Sequence, residues 1–535
     1  MERTAKMLIA VLAGGLLGCA AVQAQNEAPP AETAGRAQGR VSLTIYSNAD
    51  PQQFDPQQFI GQQQMGNSPQ FAWQVPGFGV VRDTRTLDLK QGANTVDFTD
   101  VPQFIDPTTV SLTDLSVPPE AQEKSGLQVV EQQFQFDLVS AQKLLAKYLD
   151  QPIRVNINLG NGQRETVAGT LLSASGGQLV LKTDKGVRLI NNTGDVQLGE
   201  LPGGLITRPT LQWQLWAPAA GNRRVVTAYQ TAGITWRADY NLVLSADDTR
   251  ADLGAWVTIM NLSGTSYPDA QVKLIAGDVQ RVAPRPGLYG IGGGIAMERA
   301  LAAAAPAGFA EKSFFEYHLY TLGHRTTVPD NSTQQIALFP TVQGVKVEKV
   351  LVYYGLPDSG HWFFPSPQTD RNLGNQSNKK VDVYIRFENT KENHLGIPLP
   401  AGKVRVYKAD GAATGGGTGA LEFIGENLID HTPRDQKVLL KIGQAFDVTG
   451  ERTQMDFKID NAHDWMEETI RIVIRNAKDK PQDVLIRENL YRWTNWKIIK
   501  KTDDYEKVDA RTIHFPVTVP ANGRKTVEYT VKYTW

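Results

Sequence analysis

The stretch LQWQLWAPAAGNRRVVTAYQTAGITWRADYNLVLSADDTRADLGAWVTIMNLSGTSYPDAQVKLIAGDV, residues 211–279, decides the fold class of this chain. It contains five runs in which apolar, β-branched and aromatic residues alternate with polar ones. Turn-forming residues, such as those at 218–222 and 246–248, separate these runs. Alternation with a period of two residues is typical of strands that bury one face. The stretch therefore predicts consecutive antiparallel strands of a β-sandwich.

The same alternation continues on both sides of this stretch. It begins at VSLTIY, residues 41–46, resumes at residues 316–354, and runs from residue 380 to the end of the chain. The last part again has the pattern of a β-sandwich with alternating faces. The predicted fold class is mainly β, with several β-sandwich or antiparallel units and few helices.

The apolar segments become shorter and more closely spaced between residues 153 and 201, which predicts a small separate module. Five short apolar segments follow one another there, separated by tight Gly, Asn and Asp turns. This arrangement is typical of a small SH3-like or Sm-like β barrel. Sm-like barrels often bind RNA, but acids offset the basic residues here, so no nucleic-acid partner is expected. The residues concerned are Arg154, Arg164, Lys182, Lys185 and Arg188 against Glu165, Asp184, Asp195 and Glu200.

Three segments interrupt the strand pattern. Residues 51–71 are rich in glutamine and contain Pro and Gly, which predicts an inserted, mobile loop. Residues 137–149 predict a helix, because apolar residues follow the candidate cap Asp137 at helical spacing. Residues 289–308 are rich in Gly and Ala and predict a linker.

The N-terminus predicts export. A short basic region is followed by an apolar run that is shorter than the roughly 18 residues of a membrane-spanning helix. Leu16-Leu17-Gly18-Cys19 resembles a bacterial lipobox, in which Cys19 is the lipid-attachment residue, and this is the only cysteine of the chain. Cleavage after Val22-Gln23-Ala24 is the alternative and would give a soluble secreted protein. The expected location is the periplasm or the outer membrane of a bacterium, as a lipoprotein.

These segments predict the following organisation. A signal peptide covers residues 1–24, with the lipobox at 16–19, and a flexible tether covers 25–40. An N-terminal β unit (41–135, with the glutamine-rich insert 51–71), a helix (136–150), the small barrel (151–203), a central β domain (204–375, with the linker 289–308) and a C-terminal β-sandwich (376–535) follow.

Charge and composition exclude several function classes. The 535 residues include 55 basic and 56 acidic ones, and the formal net charge of −1 provides no basic field for nucleic acid. One cysteine cannot form an internal disulfide or a thiolate-rich zinc site. The sequence contains no HExxH, GxSxG or phosphate-loop motif. We therefore expect no catalytic residue, metal or cofactor that the sequence can name.

The tryptophans of the predicted strands leave two interpretations open. Buried rings are the usual outcome in sandwich cores, whereas exposed rings can bind sugars or peptides by stacking. The six concerned are Trp213, Trp216, Trp236, Trp256, Trp493 and Trp496.

Several stretches together resemble a known family. They are YQTAGITWRADY (229–240), WVTIMNLSG (256–264), AGDV (276–279), LGIPLPAGKVRVY (395–407), FIGE (423–426) and GQAFDV (443–448). The chain resembles, from about residue 41 to its end, the bacterial family catalogued as domain of unknown function 4139, which is related to the mucoidy-inhibitor-A-like proteins. The resemblance implies an exported, β-rich envelope protein and carries no established activity. The chain departs from the family by its glutamine-rich insert and by lacking the coiled-coil N-terminal part of some relatives.

The residues of this motif have a structural interpretation. Its glycines suit turns or close approaches, two polar residues suit turn caps, and three of its aromatic residues suit the inward faces of a sandwich. The motif residues are Tyr229, the glycines Gly233, Gly264 and Gly277, the inward Trp236, Tyr240 and Trp256, and the caps Asn261 and Asp278.

The expected function is therefore that of a non-catalytic envelope protein. It would act as a scaffold or binding module for an envelope protein or polysaccharide, attached to the membrane by a lipid anchor. The alternative is a hydrolase of envelope polymer. A concave pocket with convergent acids or histidines favours the hydrolase, whereas a flat strip with exposed aromatic rings favours the binding module.

Overall fold

A computed structural model describes most of the β-rich body. The described residues are 32–33, 41–46, 56–64, 74–136, 140–160, 163–175, 177–191, 193–199, 206–277, 279, 309–356, 359, 362, 364–375, 377–409 and 420–535. Strands hold 65% of these described residues and helices 5%, so the predicted mainly β fold class is confirmed.

The strands are numbered in chain order. They are β1 (Glu32–Thr33), β2 (Val41–Tyr46), β3 (Phe78–Leu89), β4 (Gly92–Phe98), β5 (Ile105–Asp114), β6 (Gln128–Gln135), β7 (Pro152–Gly160), β8 (Gln163–Ser175), β9 (Gln178–Thr183), β10 (Gly186–Ile190), β11 (Thr193–Gln197), β12 (Thr210–Ala217), β13 (Gly221–Thr231), β14 (Ile234–Leu244), β15 (Arg250–Asn261), β16 (Tyr267–Ala276), β17 (Phe309–Phe314), β18 (Tyr317–Leu322), β19 (Thr326–Val328), β20 (Ser332–Tyr354), β21 (Lys380–Glu388), β22 (Gly402–Ala409), β23 (Leu421–Ile429), β24 (Lys437–Asp460), β25 (Trp465–Asn476), β26 (Gln482–Asn489), β27 (Trp496–Lys501), β28 (Glu506–Lys507), β29 (Thr512–Val519) and β30 (Gly523–Thr534).

The predicted helix is shorter than its sequence pattern. The described helices are α1 (Pro56–Gln64), α2 (Gln122–Ser125) and α3 (Ala141–Lys147). The cap of α3 is Ser140, whose Oγ accepts a hydrogen bond from the Lys143 backbone N–H at 3.2 Å. A serine in extended conformation is a preferred cap, so the helix begins after Ser140. The candidate cap Asp137 lies outside the described residues.

The glutamine-rich insert contains a helix, so its prediction as a mobile loop is wrong for α1. Proline at the first helical position suits the helix, because its missing N–H would have no partner there. Phe59 of α1 packs against a small buried cluster, which gives this otherwise polar segment an apolar attachment. The cluster is Val75, Phe104, Met260 and Leu262.

Two sheets combine the predicted N-terminal unit with the predicted central domain. One has the order β1-β4-β12-β6, and the other has the order β17-β18-β16-β2-β3-β13-β5, with β19 beside β16. Strands β6 and β12 are antiparallel neighbours, although residues 136–209 lie between them in the chain. The segment that contains the small module is therefore an insertion between two paired strands.

The small module is a five-stranded antiparallel sheet of order β10-β9-β8-β7-β11. Its last strand returns to the first, as the antiparallel pairing of β11 with β7 shows. The module has its own core, in which Val155, Leu171 and Leu181 are fully buried. Closure of this sheet into an SH3-like or Sm-like barrel stays a prediction.

The largest sheet has the order β23-β22-β14-β15-β20-β21-β24-β25-β30-β27, and β26, β28 and β29 extend it from β20. Three strand pairs cross the predicted boundary between residues 375 and 376: the antiparallel pair β20–β21 and the parallel pairs β14–β22 and β20–β26. A division there would cut this sheet. Two separate cores nevertheless line it, one containing Trp236 and the other containing Tyr529.

Candidate functional site

Asn261 and Gly264 lie at the turn between β15 and β16, and Gly233, in the turn between β13 and β14, packs against it. Gly233 has φ +79°, and a Cβ there would lie 2.8 Å from the Leu262 carbonyl oxygen. Asn261 is fully buried, and its amide donates to the carbonyls of Thr265 and Pro329 at 2.9 and 3.0 Å. Gly264 has φ +85°, and its N–H donates to Asp330 at 3.0 Å. These contacts fix the backbone and expose no reactive group.

Two distant motif stretches meet in the core. Tyr240 is fully buried, and its hydroxyl donates to the Pro400 carbonyl at 2.8 Å. Burial raises the pKa of Tyr240 well above its ordinary value, so the hydroxyl stays protonated and remains a donor. Trp236 is buried beside Tyr320, with ring centroids 6.5 Å apart, and Tyr229 is buried in the same core. These residues have a packing role.

Gly277, in a third motif stretch, lines a small cavity. Gly277 has φ +130°, and a Cβ there would lie 2.5 Å from the Tyr317 ring, so only glycine fits. Residues 276–277 and 398–400 line a cavity of about 270 Å³ with His318 and His431. His318 is paired with Glu311 at 2.8 Å. Asp278 and the predicted lipid-attachment residue Cys19 lie outside the described residues.

Trp256 points outward, so its predicted inward position is wrong. Its neighbours Ala255 and Val257 are buried, whereas 41% of Trp256 is exposed. Successive side chains of a strand point to opposite faces, so a tryptophan between two buried residues must face the other way. The sequence carries this signal, because Leu253, Ala255, Val257 and Ile259 already form the inward alternation.

The outward tryptophan lies beside a buried carboxylate. Asp239 is the cross-strand neighbour of Trp256, and its Oδ2 accepts from Thr258 Oγ1 at 2.7 Å and Arg237 Nε at 3.1 Å. Its Oδ1 has no hydrogen-bond donor among the described residues, and Arg405 Nη1 is 3.6 Å away. That distance is too long for a hydrogen bond. Asp239 is almost fully buried, so it holds Thr258 and Arg237 in place beneath this face and is not itself open to a ligand.

A row of polar groups runs across the neighbouring strands. Lys403 is paired in register with Asp239, and Arg405 with Asn241. Lys403 Nζ donates to Glu426 Oε1 at 3.2 Å, and about a third of Arg405 is exposed. We call this surface the Trp256 face, which comprises Arg237, Asp239, Asn241, Gly254, Trp256, Lys403, Arg405 and Glu426.

Two features shape the Trp256 face for a ring-shaped ligand. Gly254 lies two residues from Trp256 on the same face, and a Cβ there would meet nothing closer than 3.5 Å, so a shallow gap borders the indole. A second aromatic group stands at the far end, where Tyr407 and Phe423 pack edge to face at 5.8 Å. Strand geometry places Tyr407 about 16 Å from Trp256, two strands across and four residues along.

Sequence reasoning missed the charged groups buried in the C-terminal core. Arg452 Nε donates to Glu488 Oε2 at 2.9 Å, and Arg492 Nη2 to Glu468 Oε1 at 3.2 Å. All four side chains are at most 3% exposed. Burial alone would lower the pKa of Arg452, but the nearby charge of Glu488 raises it above its ordinary value. Paired carboxylates of this kind hold structure and are not free to act as acids or bases.

Two further properties of the described residues bear on function. No group of three or more His, Cys, Asp or Glu side chains that could hold a metal ion occurs among them. None of the helices in this part of the chain is long and apolar enough to span a membrane.

Sequence comparison identifies no matching family and no curated relative. A scan against protein-family models finds no match, and a search of curated proteins finds no significant similarity. The resemblance to the domain of unknown function 4139 family therefore stays a prediction based on the stretches quoted above.

Proposed function

We propose that this protein is an exported, lipid-anchored envelope protein that binds polysaccharide through the Trp256 face without catalysing a reaction. The observation that carries the proposal is the exposed indole of Trp256 on the same face as the partly exposed Lys403, Arg405 and Glu426. An indole offers a sugar ring an apolar platform. Neighbouring carboxylate, guanidinium and amide groups offer hydrogen bonds to its hydroxyls. The face lies on strands, so these groups are held in place before a ligand arrives.

The choice of polysaccharide over protein rests on the polarity of this face. Charged and amide side chains flank Trp256 on β14 and β22. Protein-binding surfaces are depleted of charge at their centre. A flat polar strip with separate aromatic groups suits an extended, hydroxyl-rich chain, and the second aromatic pair at Tyr407 and Phe423 lies on the same face.

Replacing Trp256 with alanine is expected to weaken polysaccharide binding at least about tenfold, because aromatic anchors dominate binding energy. The measurement is isothermal titration calorimetry of the exported protein with an envelope polysaccharide extract. Trp216→Ala is the matched control, since Trp216 is 49% exposed but lies on another sheet. Equal affinities of the two variants would show that the ligand does not use the Trp256 face. Release of new reducing ends from the polymer would instead favour the hydrolase.

Replacing Cys19 with alanine is expected to move the protein from the membrane fraction to the soluble periplasmic fraction, because the lipid would have no attachment point. Fractionation of cells that express either form, followed by immunoblotting, measures the change. If the alanine variant stays with the membrane, Cys19 is not the anchor. A wild-type protein whose mature N-terminus is Gln25 by mass spectrometry would support cleavage after Ala24 and contradict the anchor.

A further inference from the structure

A second concave site lies in the C-terminal half, away from the motif stretches. It is a cleft of about 550 Å³ between the loop that precedes β21 and the far part of β24. This volume is in the range of small-ligand sites. The loop contributes Arg371, Asn372, Asn375, Ser377 and Lys379, and the strand contributes residues 451–457.

Two buried arginines, Arg452 and Arg492, hold the loop that forms one wall of this cleft. The buried Arg452 donates to the Gly374 carbonyl at 3.2 Å, and its backbone N–H donates to Ser377 Oγ at 3.0 Å. Arg492 donates to the carbonyls of Asp370 and Leu373 at 2.7 and 3.0 Å. A loop fixed by buried arginines loses little further conformational freedom when a ligand arrives.

The cleft carries an excess of positive charge. Its two acids are already matched by cations outside the lining. Glu451 lies 3.8 Å from Arg475, and Asp456 lies 3.2 Å from Lys458. In the part of the chain that the structure describes, Arg371 and Lys379 have no acidic partner. Two cations on one wall, with amide groups beside them, favour an anionic group.

The remaining lining groups indicate what carries that anionic group. Thr453, Asn372 and Asn375 offer donors and acceptors that suit hydroxyl groups. Met455 is 44% exposed and offers an apolar surface next to them. A ligand with a carboxylate, several hydroxyls and a small apolar ring face would use all three kinds of group.

We propose that the cleft binds an acidic sugar, with its carboxylate between Arg371 and Lys379. The cleft is distinct from the Trp256 face, and only the choice of a carbohydrate rests on the proposed function. Because Lys379 and Arg371 are exposed, the interaction should weaken as ionic strength rises.

The test is calorimetric titration of the full-length exported protein with trigalacturonate, with a neutral galactose trisaccharide and with inorganic phosphate. Of the three ligands, we expect only trigalacturonate to bind the cleft. Its affinity should fall at least about tenfold in the double variant Arg371→Gln/Lys379→Gln. Lys497→Gln/Lys500→Gln, which removes the same charge outside the cleft, is expected to bind as the wild type does. The same loss is expected when the double variant Arg371→Gln/Lys379→Gln is compared with its parent in a Trp256→Ala background, which removes any contribution of the proposed polysaccharide face.

Three results would overturn the inference. The first is the absence of trigalacturonate binding, and the second is equal binding of phosphate, which would make the cleft a general anion site. The third is an equal loss of affinity in the two double variants, which would show that only net charge matters.

Discussion

Replacing Arg492 with methionine is expected to lower the free energy of unfolding by about 3–5 kcal/mol. Arg492 is fully buried, and its removal leaves the Glu468 carboxylate in the core with only the Tyr491 hydroxyl, 3.3 Å away, as a hydrogen-bond donor among the described residues. The substitution also removes one hydrogen bond from each of the backbone carbonyls of Gln368, Asp370 and Leu373. An unpaired buried charge destabilises the folded state, and the hydrogen bonds lost from this loop add to the effect.

Chemical denaturation, followed by circular dichroism, measures this loss as a shift of the unfolding midpoint. The matched control is Arg471→Met, because Arg471 makes an ion pair with Glu528 at 3.0 Å while 44% of it is exposed. Exposed pairs contribute about 0–1 kcal/mol, so this variant should unfold almost as the wild type does. The double variant Arg492→Met/Glu468→Leu should recover part of the loss, because it leaves no unpaired charge. Similar losses for Arg492→Met and Arg471→Met would contradict the buried pair.

Local patterns were sufficient to predict the strands but not their partners. VSLTIY predicts a strand over the same residues that form β2, because alternation of apolar and polar residues is a local property. The contact between Tyr240 and Pro400 joins residues 160 positions apart, and nothing in either stretch specifies the other. For the same reason, no local pattern shows that β20–β21 and β14–β22 pair across residues 375 and 376.

The candidate sites were less accessible to sequence reasoning. Trp256 belongs to the family motif. Apolar residues alternate with polar ones on both sides of it, and their positions place Trp256 on the outward face. The buried pairs Arg452–Glu488 and Arg492–Glu468 could not be selected, because a chain with 56 acidic residues offers many equivalent pairs. Their partners are specified only when the register of β24, β25 and β26 is known.

The motif tryptophans Trp236 and Trp256 have opposite orientations, so their replacement should affect stability to different extents. Replacing Trp236 with alanine is expected to lower the free energy of unfolding by about 3–5 kcal/mol, because a large buried side chain leaves a cavity. Replacing Trp256 with alanine should lower it by about 1 kcal/mol or less, because much of that ring already contacts water. Each variant removes one tryptophan, so fluorescence-monitored denaturation compares them under matched conditions.

A conservative variant separates packing from hydrogen bonding at Trp236. The buried indole Nε1 of Trp236 has no acceptor among the described residues, so the N–H contributes no stabilising bond. Trp236→Phe should therefore retain most of the stability that Trp236→Ala loses, since it keeps a ring in the core and removes an unsatisfied donor. If Trp236→Phe were as destabilised as Trp236→Ala, the N–H would have a partner and the core would differ from the one described. If Trp256→Ala were as destabilised as Trp236→Ala, Trp256 would be buried, and the Trp256 face could not bind a ligand by stacking.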